Sequence, residues 1–233
     1  MSKTISEHIS APMGDSKVIV TNQDGINDKL LEIVNKHLQH AFQKPVQAHT
    51  QQAFDEVNDL VQNFTGDIIL DACCGVGQST RLLAKQNPDA LVIGVDKSAN
   101  RLERNVEEHF SVNLNGVNNY RLIRADLNDF YRLVKAANWP VKQHFILYPN
   151  PWPKAKHIQR RWHGSAVFPQ IIQTGQRIEL RSNWRLYLEE FLAASEVAGR
   201  TGKISQLTVT QPLTPFEAKF TASQQTCWQL IIE

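Results

Sequence analysis

The sequence predicts an α/β domain: a doubly wound, mostly parallel sheet of seven strands. Two observations predict it. Near-continuous apolar runs alternate with amphipathic helical segments, the pattern of strands covered on both faces. The runs also recur every 20 to 30 residues or so, the length that a parallel crossover through a helix requires.

Residues 1–45 are polar and read as an N-terminal extension to a domain spanning 46–233. The extension holds a short strand candidate, Lys17–Val20. It also holds a helical stretch, Asn27–Phe42, in which Leu30, Leu31, Val34 and Leu38 fall near helical spacing. A helix over Gln47–Val61 leads into the first strand, DIILDA (67–72), which ends at two glycines before a helix starting near Gln78 or Ser79. ALVIGVD (90–96), YRLIRAD (120–126) and QHFILYP (143–149) follow, each after a helical segment. A fifth strand near Arg177–Arg181, a helix over Trp184–Val197 and two closing strands, KISQLTVTQ and TCWQLIIE, complete the count. The last two strands are expected to pair with each other.

Composition narrows the class. A chain of 233 residues, 42% hydrophobic and 21% charged, is long enough to bury roughly 70% of the surface its unfolded chain exposes. Eleven Gly and ten Pro exclude collagen-like repeats and long disordered tracts. Cys73, Cys74 and Cys227 make neither a disulfide framework nor a zinc site, which suits a reduced compartment. No run has the length of a membrane span and the start has no signal-peptide core, so a soluble, cytoplasmic protein is expected. The net charge of +2 conceals an asymmetry: Lys154–Arg185 carries +6 and the remainder −4. A basic segment of this kind is either a solvated surface or a phosphate-binding face.

In sheets of this class ligands bind beyond the carboxyl ends of the strands. The first end reads Asp71-Ala-Cys-Cys-Gly75-Val-Gly77, a tight turn that lets a ligand approach the backbone. A carboxylate at its mouth would repel a pyrophosphate and suits a cationic ligand. Asp96, ending the second strand, can accept from both ribose hydroxyls. Asp126, after the third, is placed for an adenine amine. Each acid alone also reads as a helix N-cap. Together they describe a site for S-adenosylmethionine, with Asp71, Gly75, Gly77, Asp96 and Asp126 binding it. After the fourth strand, Tyr148-Pro-Asn150-Pro-Trp152-Pro-Lys154 forms a stiff loop where an acceptor would meet the cofactor. His157, Arg160, Arg161 and His163 follow as phosphate ligands, and Trp152 either stacks on a base or packs inward.

That loop, YPNPWPKAKHIQRRW, resembles the PDPWxKxRHxKRR signature of the bacterial tRNA (guanine-N7)-methyltransferases. RSNWRLYLEEF and Thr214-Pro-Phe-Glu217-Ala-Lys-Phe220 resemble two further motifs of that family, so the resemblance covers about residues 50–233. It implies a Rossmann-like class I methyltransferase that carries the methyl of S-adenosylmethionine to N7 of the variable-loop guanine at tRNA position 46. It further implies cofactor acids at 71, 96 and 126, a catalytic and cofactor-contacting residue at Asn150, and substrate contacts at Lys154, Asn183, Thr214 and Glu217. The 154–185 segment would meet tRNA phosphates. The chain departs from the family pattern at Cys73, a Gly in the family, and at Asn150 and Asn183, both Asp.

Guanine N7 has a free lone pair, so no general base is needed, and positioning supplies most of the catalysis. An Asn at 150 is expected to accept a hydrogen bond through its carbonyl, but it brings no negative charge to a developing cation. On this reading Asn150→Asp with Asn183→Asp raises methylation of guanine-46. The same pair of asparagines leaves open a different acceptor, or a silent paralog that binds RNA or a partner.

Overall fold

The computed structural model describes residues 14–104 and 119–233; the first thirteen residues of the extension lie outside them. The elements are α1 (Leu30–Gln39), α2 (Ala48–Gln62), β1 (Ile68–Ala72), α3 (Gln78–Gln86), β2 (Leu91–Asp96), α4 (Ala99–Leu102), β3 (Tyr120–Arg124) and α5 (Leu127–Ala136). Then come β4 (Val141–Leu147), α6 (Phe168–Gln173), β5 (Arg177–Ser182), α7 (Arg185–Val197), β6 (Gly202–Gln206), α8 (Pro215–Ala222) and β7 (Trp228–Ile232).

One seven-stranded sheet runs in the order β3-β2-β1-β4-β5-β7-β6. The first five strands are parallel, while β7 pairs antiparallel with both β5 and β6. The sequence expectation of a doubly wound, mostly parallel sheet closing on a local strand pair is borne out. β1 shows why its run is continuously apolar: Ile68 and Leu70 face one side and Ile69 the other, and all are buried. The larger face packs α1, α2, α5, α6 and α7 through Leu30, Val34, Phe54, Phe130, Phe168 and Phe191. The other holds Leu83, Val92, Phe145 and Leu213.

The extension departs from its reading in two places. Lys17–Val20 joins no sheet; Val18 and Val20 are 73% and 83% exposed in an extended stretch without a strand partner. In α1 Leu30 and Val34, four residues apart and on one helix face, are fully buried, whereas Leu31 points about 100° away and is 48% exposed; Leu38 follows on the same face as Val34 but lies in the last turn, where it is exposed. Through α1 the extension therefore packs into the core of the sheet domain.

Candidate active site

The strand order sets five sequence-predicted residues along one edge of the sheet. Asp126 follows β3, Asp96 ends β2, Asp71 lies in β1, Asn150 follows β4 and Asn183 follows β5, at or just beyond the carboxyl ends of five adjacent strands. The reversal between β1 and β4 opens the crevice where ligands of such sheets bind.

The turn after β1 is tightly wound, with Cys73, Gly75 and Gly77 all in the left-handed region at φ 61°, 62° and 74°. At Gly77 the positive φ favours glycine, and a Cβ there would also lie 2.7 Å from the end of the Leu122 side chain, which would have to shift. A Cβ at Gly75 would meet nothing within 4 Å, so the turn faces open space at that residue. Cys73 occupies a conformation that suits glycine better than a residue with a side chain. Burial, with the charges of Asp96 and Asp71, pushes its thiol up to about 12.

Asp71 is wholly buried. Its Oδ2 accepts from Ser79 Oγ and Thr80 Oγ1, both at 2.6 Å, while Oδ1 is buried with no hydrogen-bond partner among the described residues. Burial drives its pKa up to about 6, against the two hydroxyls and with the nearby charge of Asp96. Asp96 is also buried. It accepts from Gly75 N (3.1 Å) and Ser98 N (2.8 Å) and pairs with the half-exposed Arg101 at 3.4 Å. Asp126 is the N-cap of α5, its Oδ1 taking the Asn128 N–H at 2.9 Å. That capping uses one carboxylate oxygen.

The loop after β4 lies between two strained aromatic residues, Tyr148 (φ 50°) and Trp152 (φ 44°). Left-handed φ at bulky side chains persists where the surroundings impose it, and such residues cluster at functional sites. Asn150 is exposed, and its Oδ1 accepts the Trp152 N–H at 3.3 Å. The carbonyl expected to face a ligand thus closes the loop on itself, leaving the Nδ2 amide as the group able to donate. Trp152 is half-buried beneath the Arg160 guanidinium, 4.7 Å from its ring, and edge-on to His157. Lys154, Lys156 and Arg160 are exposed, with no carboxylate partner among the described residues. Lys156, His157 and Arg160 line a groove against Asn22–Lys29.

Two basic residues expected on the phosphate face lie inside the protein. Arg161 is fully buried: it pairs with Glu190, donates to Gln23 Oε1 at 2.6 Å and to the Trp152 carbonyl, and stacks on Trp184. His163 is buried too, with Nε2 on Glu190 at 2.9 Å. Burial lowers its pKa, against the pull of the Glu190 carboxylate. Arg161 therefore corrects the expectation of a substrate contact: its guanidinium is buried and its charge is neutralised internally by Glu190.

Glu217 is the second correction. It is wholly buried, its oxygens taken by Tyr148 Oη (2.8 Å), Leu213 N (2.7 Å) and Arg181 (3.1 Å). Thr214 is the N-cap of α8, receiving Glu217 N at 3.0 Å. The run Thr-Pro-Phe-Glu thus has capping-box spacing with Pro at the first helical position, though Glu217 reaches back to Leu213 N rather than to the N–H of Thr214, and sequence reasoning passed this helix-start signal over. Glu217 holds the left-handed Tyr148 in place and leaves no oxygen for a guanine. Asn183 is half-buried and donates through Nδ2 to Gln225 Oε1 at 2.8 Å. Sequence reasoning missed Glu190, Gln23 and Tyr148. The Glu in RLYLEEF carried no marker of its burial.

A parallel sheet reversed at β1/β4, with a glycine turn and acids at the strand ends, defines the Rossmann-like class I methyltransferase fold. Solved structures of that architecture agree. An antibiotic-related methyltransferase aligns over 82% of this chain and 96% of its own at TM-score 0.54 and 13% identity. The 16S rRNA (adenine(1408)-N(1))-methyltransferase of Catenulisporales acidiphilia aligns over 76% and 89% at TM-score 0.53 and 16% identity. The family described as "Putative methyltransferase" matches residues 65–230, and the chain belongs to that family. Within it the chain is a divergent relative of proteins named tRNA (guanine-N(7)-)-methyltransferase. That of Jannaschia sp. is 32% identical over 45% of this chain and 42% of its own length. That of Thermus thermophilus is 30% identical over 63% and 46%, and that of Shewanella halifaxensis 26% over 75% and 77%. The chain spans less than half the length of the first two relatives. No helix among the described residues is long and apolar enough to cross a membrane.

Proposed function

We propose that this protein transfers the methyl group of S-adenosylmethionine to N7 of a guanine in tRNA, at variable-loop position 46, in the cytoplasm. The observation that carries the cofactor half is the buried Asp71 Oδ1, a carboxylate oxygen without a partner beneath a turn that faces open space at Gly75. An unpaired buried carboxylate oxygen costs free energy that a cation offsets, and the cofactor is a cation without phosphate. The donor set therefore fits it. Asp71, Gly75, Gly77, Asp96 and Asp126 would hold it, with Asp96 suited to the ribose hydroxyls. The names of the relatives support the acceptor half.

When bound, S-adenosylmethionine supplies an electrophilic methyl on sulfur. The protein's own part is positioning, because guanine N7 attacks with a lone pair it already has. Glu217 and Arg181 hold Tyr148, Arg161 holds the Trp152 carbonyl, and Asn150 lies between. With its carbonyl on Trp152 N–H, Asn150 offers Nδ2 as a donor, and guanine presents the O6 acceptor beside N7. Asn183 and Thr214 lie at the acceptor side, and Lys154, His157 and Arg160 at the phosphate side.

A second reading, transfer to another acceptor or RNA binding without transfer, is favoured by the two carboxamides at 150 and 183. Radiolabelled cofactor, unmodified tRNA and mass spectrometry of the product nucleosides separate the two. Label in 7-methylguanosine, lost when guanine-46 is replaced by adenine, is the expected result. Label in another nucleoside, or cofactor binding with no label in RNA, supports the second reading.

A further inference from the structure

The polar segment Thr21–Asn27 makes three hydrogen bonds to the loop after β4 and three more to Arg161 and Glu190. Thr21 Oγ1 donates to the Pro153 carbonyl at 2.7 Å. Asn22 Oδ1 accepts from Ala155 N at 2.9 Å, and Asn27 Nδ2 donates to Ala155 O at 3.0 Å. Gln23 accepts from Arg161 and donates to Glu190 at 2.9 Å, and the Asn27 N–H joins it on the same Glu190 oxygen at 3.0 Å.

The loop needs these partners. Pro149, Pro151 and Pro153 have no N–H, so it cannot build a ladder of its own, and its carbonyls must find donors elsewhere. Arg161 serves Trp152 O, Thr21 serves Pro153 O and Asn27 serves Ala155 O. Thr21, Asn22, Gln23 and Asn27 add nothing to the apolar core, and Asn22 is exposed. Just beyond them, α1 is anchored by Leu30 and Val34, which fixes the segment against the domain.

We propose that residues 21–27, with Arg161 and Glu190, form a clamp that sets the conformation of the loop from Pro149 to Ala155, and are positioning residues for the methyl transfer. The proposal deepens the functional reading above and rests on it for the transfer step.

The test compares two full-length double variants. Thr21→Val with Asn22→Ala removes the donor and the acceptor; Thr21→Ser with Asn22→Asp keeps both. Hydrogen exchange of amides 152–157 is followed by mass spectrometry, alongside melting temperature, calorimetric binding of S-adenosylmethionine, and kcat and KM on unmodified tRNA. The first variant is expected to speed exchange in 152–157 and lower kcat, each by roughly tenfold, with cofactor affinity unchanged. The second is expected to restore both. Unchanged exchange overturns the clamp. Faster exchange with unchanged kcat, or a lower melting temperature alone, overturns the positioning role. A wild-type chain that transfers no methyl to tRNA overturns the functional reading instead, and the exchange result still decides the clamp.

Discussion

Asp71 and Glu190 are buried carboxyls that titrate in opposite directions. Asp71, raised to about 6 first by burial, holds its proton more tightly folded than unfolded. It contributes stability below its ordinary pKa near 4, and that contribution is lost as pH rises through 6. A cationic ligand reverses the preference by favouring the ionised form. Affinity for S-adenosylmethionine should therefore weaken as pH falls through about 6, and Asp71→Asn should flatten the dependence; calorimetry from pH 5 to 8 measures both. For Glu190, burial alone would raise the pKa, but the hydrogen bond from His163, reinforced by Gln23 and Arg161, holds it down to about 2. Its stabilisation is present above the ordinary value and lost as pH falls from there through 2. Arg161→Met should cost about 3–5 kcal/mol in urea unfolding, because it leaves Glu190 buried without its cation. At 183, Gln225 directs its oxygen at the Asn183 amide while its own amide donates to the Ser16 carbonyl at 2.7 Å. An Asp there meets oxygen with oxygen unless Gln225 turns and gives up Ser16. Asn183→Asp should therefore lower the melting temperature rather than simply raise activity, and differential scanning calorimetry decides it.

At the scale of elements, α8 is started by its caps. Thr214→Ala removes the acceptor for Glu217 N and should cost about 1 kcal/mol of stability. It should also free Glu217, and with it Tyr148, so melting temperature and tRNA methylation should fall together. The five parallel strands were legible to within about two residues at each end: β1 and β2, buried along their whole length, make continuous apolar runs, whereas β3 and β5, which carry Arg121, Arg124, Arg177, Glu179 and Arg181, were legible from their place in the alternation. Lys17–Val20 has the same β-branched character, but a strand needs a neighbour and none stands beside it. The turn after β1 was legible because Asp71, Gly75 and Gly77 lie within a few residues of each other. Arg161 and Glu217 were misread because what decides their role is distant: Glu190 lies 29 residues from Arg161, and Tyr148 lies 69 from Glu217. A basic residue in a basic run gives no local sign that a carboxylate on a later helix waits for it. The helix-start signal in Thr-Pro-Phe-Glu was local and could have been read.

Across the whole molecule, the +6 of Lys154–Arg185 does not become a broad basic face. Arg161 pairs with Glu190, Arg177 and Arg181 with Glu179, Arg181 also with Glu217, and Arg185 with Glu189. Lys154, Lys156 and Arg160 remain, close together on one stretch beside the loop. Replacing these three by Ala should reduce the salt dependence of tRNA binding by about 3 in the log–log slope, whereas Arg177→Ala should leave it unchanged. Filter binding from 50 to 200 mM salt, or thereabouts, resolves the difference. The clamp also bears on how the chain comes together during synthesis. Its first half is made early, yet Thr21 bonds a residue 132 positions on and Gln23 one 167 positions on. A nascent chain therefore carries residues 21–27 without their loop partners until Pro153 and Ala155 have emerged and without Glu190 until α7 has, so the segment that shapes the loop is among the first translated yet docks late.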